Sequence, residues 1–190
     1  MPTLIDRSGP LENRWTRLNT DASAESRSAD AGAGAGAGAH LILSPAQWAG
    51  HGEGLLDSGA AVGILLEPSE GPETIAHLLD RIGLVAVNFP AFTDGRGYST
   101  ARLLRQRHGW RGELRAVGDV LRDQMHYLAR CGFDTFELKD GESVEGALAA
   151  FADLSEAYQE AADRGPLFRR RPAPPTGLAF SAAPIGTASA

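Results

Sequence analysis

Short apolar runs alternate with helix-patterned segments through the middle of the chain. Five runs have the length of strands, and the third is apolar on both faces, as buried parallel strands are. The predicted strands cover 41–44, 62–67, 84–90, 113–118 and 135–139. This alternation favours parallel strands joined by right-handed helical crossovers.

Helix signals stand between these runs. Proline fits the first turn of a helix, and Asp119 is a good N-cap residue. The predicted helices begin at or near Pro45, Pro72, Ser99, Asp119 and Ser143. Gly132 is the expected stop of the fourth helix, because glycine readily adopts the left-handed conformation that ends helices.

Together these elements predict a single α/β domain of about five strand–helix units with a mainly parallel sheet. An open, doubly wound sheet of flavodoxin-like type fits the length of the segment. A partial (βα) barrel is the second choice, because a complete eight-unit barrel needs ~250 residues.

The domain is predicted to span residues 40–164, between two disordered tails. The tail from 1 to 39 contains an Ala/Gly-rich stretch that buries too little surface to offset its ordering entropy. The tail from 165 to 190 is rich in proline and alanine. One segment departs from this: NRWTRL at 13–18 is a candidate edge strand, because Trp15 is large and apolar.

Composition and the spacing of particular residues argue against several classes of function. The net charge of −6 argues against nucleic-acid binding, and no apolar run approaches the ~20 residues that span a membrane. The start of the chain lacks the pattern of a secretory signal, so we expect a cytoplasmic protein.

The single cysteine, Cys131, supports neither an internal disulfide nor an iron–sulfur cluster. The five histidines lack metal-ligand spacing, so no metal site is predicted, and the cofactor is left unknown.

Basic residues concentrate in one stretch. Between Arg96 and Arg122 the chain has seven arginines and only two carboxylates, Glu113 and Asp119. Such a stretch is suited to a small anion or an acidic partner. The alternative is a solvated helix face, which is what charge runs usually are, and both interpretations stay open.

Ligands in parallel α/β folds bind beyond the carboxyl ends of the strands, so the loop after the third strand is a candidate site. This loop contains DGRGYS, residues 94–99. Arg96, between two glycines, offers a planar fork to an oxyanion, and Ser99 lies where a helix start presents unpaired N–H groups. The alternative is a tight turn in which Asp94 and Ser99 cap the helix.

Three further candidates follow the fourth and fifth predicted strands: Asp119, Gln124 and Lys139. Gln124 interrupts an apolar helix face and needs a partner, which is either loop backbone or a ligand. Lys139, the only lysine, is an anion-binding or Schiff-base candidate, with a plain exposed cation as the alternative. The full set of ligand-binding candidates is Asp94, Arg96, Tyr98, Ser99, Asp119, Gln124 and Lys139. Arg115 and Glu137 are predicted to pair across neighbouring strands.

The strings FPAFTDGRGYSTARLLR and GWRGELRAVGDVLRDQMHYLARCGFDTFELKDG resemble an uncharacterised bacterial family, domain of unknown function 934. The resemblance covers about residues 60–160. Members of this family are commonly labelled oxidoreductases of sulfite reduction, so the resemblance implies a role in sulfur assimilation. It does not identify catalytic residues.

Two hypotheses follow, and whether the protein is an enzyme is left open. The first is a non-catalytic accessory factor of assimilatory sulfite reduction, which helps sulfite reductase or another sulfur-assimilation enzyme by contact or by delivering an anion or cofactor. The second is a small α/β enzyme that acts on an oxyanion-bearing molecule.

Overall fold

The computed structural model describes residues 2–18 and 38–153 as a mixed α/β fold around one eight-stranded sheet. The strands are β1 Thr3–Ile5, β2 Pro10–Leu11, β3 Thr16–Arg17, β4 His40–Leu43, β5 Ala61–Leu66, β6 Leu84–Phe89, β7 Glu113–Gly118 and β8 Thr135–Leu138. The α-helices are α1 Pro45–Asp57, α2 Arg96–Gln106, α3 Met125–Cys131 and α4 Val144–Ala150. Two 3-10 segments, Pro72–Leu78 and Arg122–Gln124, complete the connections.

The five predicted strands are present as β4 to β8, and they pair in parallel in the order of the chain. The short strand β3 pairs in parallel with β4 at one edge. At the other side β1 pairs antiparallel with β8, and β2 antiparallel with β1. The sheet is therefore mostly parallel, as the alternation of strands and helices predicts.

The flavodoxin-like arrangement is not confirmed. The order β4 to β8 runs in sequence without the reversal that a doubly wound sheet contains. One buried cluster joins a single face of the sheet, represented by Val85, Val87 and Phe89, to residues of all four helices, such as Leu104 of α2 and Leu128 of α3. The helices thus lie on that face.

Contacts across the second face show that the sheet is curled. Arg17 of β3 and Glu137 of β8 form an ion pair with a nitrogen–oxygen distance of 3.0 Å. These strands are five strand spacings apart, which in a flat sheet is about 24 Å. Side chains of this length cannot bridge that gap, so the sheet must bend toward its second face.

The N-terminal region corrects the domain prediction. Residues 2–18, assigned to the disordered tail at 1–39, contribute three strands and cross between the two sides of the sheet. Asn13 accepts a hydrogen bond from Arg115 of β7 at 2.9 Å, and Trp15 packs edge-on against His40. The candidate edge strand at 13–18 is confirmed as β3.

Other parts of the domain prediction fall outside the structure. The Ala/Gly-rich stretch lies within residues 19–37, and the predicted tail at 165–190 lies within 154–190; both ranges are outside the described residues.

Arg105 of α2 fastens several elements together. Its guanidinium donates to the carbonyl oxygens of Gly132, Trp110 and Gly112, each at 2.9 Å, and to a carboxylate oxygen of Asp134 at 2.5 Å. The same carboxylate oxygen accepts the backbone N–H of Leu114 at 2.9 Å. This side chain therefore joins α2 to the end of α3 and to the entrances of β7 and β8.

Candidate functional site

The carboxyl ends of β5, β6, β7 and β8 place polar side chains along one edge of the sheet, here called the carboxyl edge. Asn88 donates its amide to Glu67 at 2.8 Å, which joins the ends of β6 and β5. Gly118 ends β7 with a φ of +98°, and a Cβ there would lie 2.5 Å from the side-chain oxygen of Asn88. Glycine at this position lets β6 and β7 approach closely enough for their loops to interact.

The first sequence-predicted pair on this edge is Asp94 and Arg96. The Asp94 carboxylate accepts the Arg96 Nε at 3.0 Å and Nη2 at 2.6 Å, a two-pronged pair. It also accepts the backbone N–H of Arg96, the first residue of α2, at 3.2 Å. The hydrogen bond from Arg96 lowers the pKa of Asp94. The anion held by the helix start and by Arg96 is therefore a carboxylate of the chain itself.

The tight-turn alternative predicts that Asp94 and Ser99 cap the helix, but the N-cap residue is Gly95 and no side chain caps α2; Asp94 instead bonds the N–H of Arg96 from the turn before the helix. Ser99 does not cap the helix either. It is the fourth residue of α2 and is exposed, so its hydroxyl is not at the capping position.

The second pair is Asp119 and Lys139, which joins the ends of β7 and β8. Lys139 Nζ lies 2.5 Å from one carboxylate oxygen of Asp119, and the other accepts the N–H of Phe92 at 3.1 Å. The hydrogen bond to Asp119 raises the pKa of Lys139, which keeps the amine protonated. A Schiff-base lysine needs the opposite shift, so the structure favours the plain cation for Lys139.

The expected helix start at Asp119 is wrong. The following 3-10 turn is capped at Leu121, whereas the Asp119 carboxylate reaches across to the neighbouring loop and to Lys139. A capping side chain bonds forward along its own segment, and here a stronger cross-strand partner takes the carboxylate.

The third pair, Tyr98 and Gln124, lies between α2 and α3. Gln124 is buried and accepts the N–H of Leu121 at 3.0 Å, so loop backbone satisfies it. Burial raises the pKa of Tyr98, and a hydrogen bond to Gln124 opposes that shift. The Tyr98 ring packs against Phe89 and Tyr127, with ring centroids 5.2 Å and 4.9 Å apart. This pair is part of the packing between helices.

The seven candidates therefore fall into three pairs and the exposed Ser99. The Asp94–Arg96 and Asp119–Lys139 pairs are connected, because Phe92 and Asp94 belong to the same loop. Binding of a ligand by any of these residues stays a prediction. Within residues 2–18 and 38–153, no group of three or more His, Cys, Asp or Glu side chains is arranged to hold a metal ion.

Sequence reasoning missed Glu67 and Asn88, which complete the carboxyl edge. Both stand at the ends of predicted strands, and reading each strand through to its first polar residue would have found them. It also mispaired Arg115 and Glu137. Arg115 lies opposite Thr135 and binds Glu113 on its own strand at 2.7 Å, which leaves Glu137 to Arg17.

The basic stretch is not a uniformly solvated helix face, and its binding of an anion or an acidic partner stays a prediction. Five of its seven arginines bind carboxylates of the chain itself, and two of these, Arg105 and Arg115, are mostly buried. The five are Arg96, Arg105, Arg107, Arg115 and Arg122. Arg102 and Arg111 are exposed.

Comparison with models of known protein families gives a match. The model of a family described as "Bacterial protein of unknown function (DUF934)" matches residues 63–168, more than half of the chain. The match takes in most of β5, all of β6 to β8 and the loops of the carboxyl edge. No curated protein matches. No helix among the described residues is long and apolar enough to cross a membrane.

Proposed function

The chain belongs to the bacterial family of unknown function DUF934, and from this premise we propose that it is a cytoplasmic accessory protein of assimilatory sulfite reduction. It acts by contact with sulfite reductase or with another enzyme of sulfur assimilation. The pathway is supported by the sulfite-reduction label that members of the family carry. Action by contact is supported by the ion pairs of Arg96 and Lys139, the two cations that the sequence predicts to bind an anion.

One observation supports this proposal most strongly: carboxylates of the chain already bind both cations, Arg96 and Lys139. Asp94 engages the Arg96 guanidinium through two oxygens, and Asp119 holds the Lys139 ammonium. Charge-assisted bonds of this kind are roughly twice as strong as neutral ones, and the two-pronged geometry satisfies the fork of the arginine. An oxyanion at either cation must first displace a carboxylate that is covalently tethered beside it.

Carboxylates outnumber cations at the carboxyl edge, which also favours action by contact over binding of an anion. Besides Asp94 and Asp119, the loops there carry the carboxylates of Glu67, Glu70 and Glu142. Sulfite and sulfate are anions, and a surrounding excess of carboxylates opposes their approach. The enzyme hypothesis therefore requires ion pairs that open when substrate binds.

Growth of a deletion strain tests the proposed role. We expect poor growth on sulfate and on sulfite, and full growth on sulfide or cysteine, because sulfide is the product of sulfite reduction. Reintroducing the full-length chain should restore growth on sulfite. Normal growth of the deletion strain on sulfite, with no second copy of the gene present, would remove sulfite reduction from the proposal.

A further inference from the structure

Tyr127 and its surroundings form an exposed aromatic and basic surface, here called the α2–α3 face and defined by Tyr98, Arg102, Tyr127 and Arg130. Tyr127 is 46% exposed in the middle of α3. Among the described residues, the other large apolar side chains with comparable exposure are Leu11 and Phe92, on other elements. An exposed tyrosine beside arginines has the composition of protein-binding hot spots.

The aromatic part of this face is held in place. The Tyr127 ring packs on Tyr98 at 4.9 Å, and Tyr98 packs on the buried Phe89 at 5.2 Å. The Tyr98 hydroxyl bonds to the buried Gln124. A ring fixed in this way loses little conformational freedom on binding, which favours its use as an anchor.

The charged part of the face has a net positive charge, because Arg102 and Arg130 outnumber the one carboxylate that acts on Tyr98, Asp123. Arg102 follows Tyr98 by one helical turn, and Arg130 follows Tyr127 by three residues, so both extend along the same side of their helices. Interaction with Cys131 and burial raise the pKa of Tyr127, whereas the charges of Arg102 and Arg130 lower it. Both guanidinium groups thus act electrostatically on the exposed tyrosine.

This local sign is opposite to that of the whole protein. The net charge of the chain is −6, and the carboxyl edge carries an excess of carboxylates. An acidic partner is repelled by most of such a surface and attracted to the α2–α3 face, which orients it during encounter.

We infer that the α2–α3 face is a docking surface for an acidic patch on another protein, with Tyr127 as the apolar anchor and Arg102 as the charge contact. The identity of that partner as an enzyme of sulfite reduction rests on the proposed function. The location of the surface rests on the geometry and charge of α2 and α3.

Matched substitutions test the surface. Tyr127→Ala is compared with Phe92→Ala, because Phe92 is 47% exposed but lies on the carboxyl edge. Arg102→Glu is compared with Arg111→Glu, an exposed arginine in the loop before β7. Binding of each full-length variant to purified assimilatory sulfite reductase of the same organism is measured by biolayer interferometry, with thermal melting as the check on folding.

We expect Tyr127→Ala and Arg102→Glu each to weaken binding by about tenfold or more, and the two controls to change it less than about threefold. Loss of binding in Phe92→Ala or Arg111→Glu, with Tyr127→Ala and Arg102→Glu unaffected, would overturn the inference and leave the proposed function standing. If Tyr127→Ala melts early, Arg102→Glu decides alone.

A second arm separates the surface from the pathway. Isotope-labelled full-length protein is titrated with a short polyglutamate peptide at low salt, and amide shifts are followed by NMR. Shifts centred on α2 and α3 support the surface even where the wild-type protein does not bind sulfite reductase, a result that would count against the proposed function alone. No shifts, or shifts centred elsewhere, overturn the inference.

Discussion

Gly118→Ala lowers the free energy of unfolding by about 4 kcal/mol and the melting temperature by more than about 10 °C. Two costs add at this position. The φ of +98° is strained for alanine, and the new Cβ would lie 2.5 Å from the carbonyl oxygen of Phe89. That oxygen belongs to the backbone of β6 and accepts the N–H of Asp119 at 2.7 Å, so it cannot move without breaking the junction.

Gly141→Ala is the matched control, because it separates the two costs. Gly141 has nearly the same φ, +94°, but a Cβ there meets nothing within 4 Å. We expect a loss of about 1–2 kcal/mol from backbone strain alone. Chemical denaturation of the two variants measures both values. Equal losses would mean that β6 and β7 do not approach each other as the structure describes.

Arg105→Lys lowers the free energy of unfolding by about 3 kcal/mol, or roughly 10 °C in melting temperature. Arg105 makes four hydrogen bonds in three directions from a side chain that is only 13% exposed. Lysine keeps the charge but has no planar fork, so it leaves several of these acceptors unpaired.

Arg107→Lys serves as the comparison on the same helix end. Arg107 and Glu73 are both well exposed and 3.8 Å apart, a geometry worth little to stability. We expect a change below about 0.5 kcal/mol. If Arg105→Lys proves as mild as Arg107→Lys in thermal and urea denaturation, the fastening role of Arg105 is refuted.

The sequence predicted the five parallel strands because each is a short apolar run between helix signals. It did not predict how the sheet is covered. The run at 84–90 is apolar on both faces, which fits a doubly wound sheet, yet here the second face is covered by curvature of the sheet and by residues 2–18. Strands of two or three residues, such as β1 and β2, carry no periodicity that sequence reasoning can detect.

The sequence predicted where the charged candidate residues lie, but not which of their charges pair with each other. The strand-end rule brought Asp94, Arg96, Asp119 and Lys139 to one edge, because parallel strands end on the same side. The rule does not say which charges neutralise each other. That depends on loop conformation, as when the turn before α2 places Asp94 directly on the Arg96 guanidinium.

Binding of sulfite to the full-length protein, measured by isothermal titration calorimetry, tests most directly whether these cations serve the fold or a ligand. We predict no binding up to millimolar sulfite or sulfate, because Asp94 and Asp119 already occupy Arg96 and Lys139. The variant Asp94→Asn, which removes the carboxylate from Arg96, is the one expected to gain weak binding. Saturable binding of sulfite by the wild-type protein, abolished in a folded Arg96→Ala or Lys139→Ala variant, would contradict action by contact alone and establish the carboxyl edge as an oxyanion site.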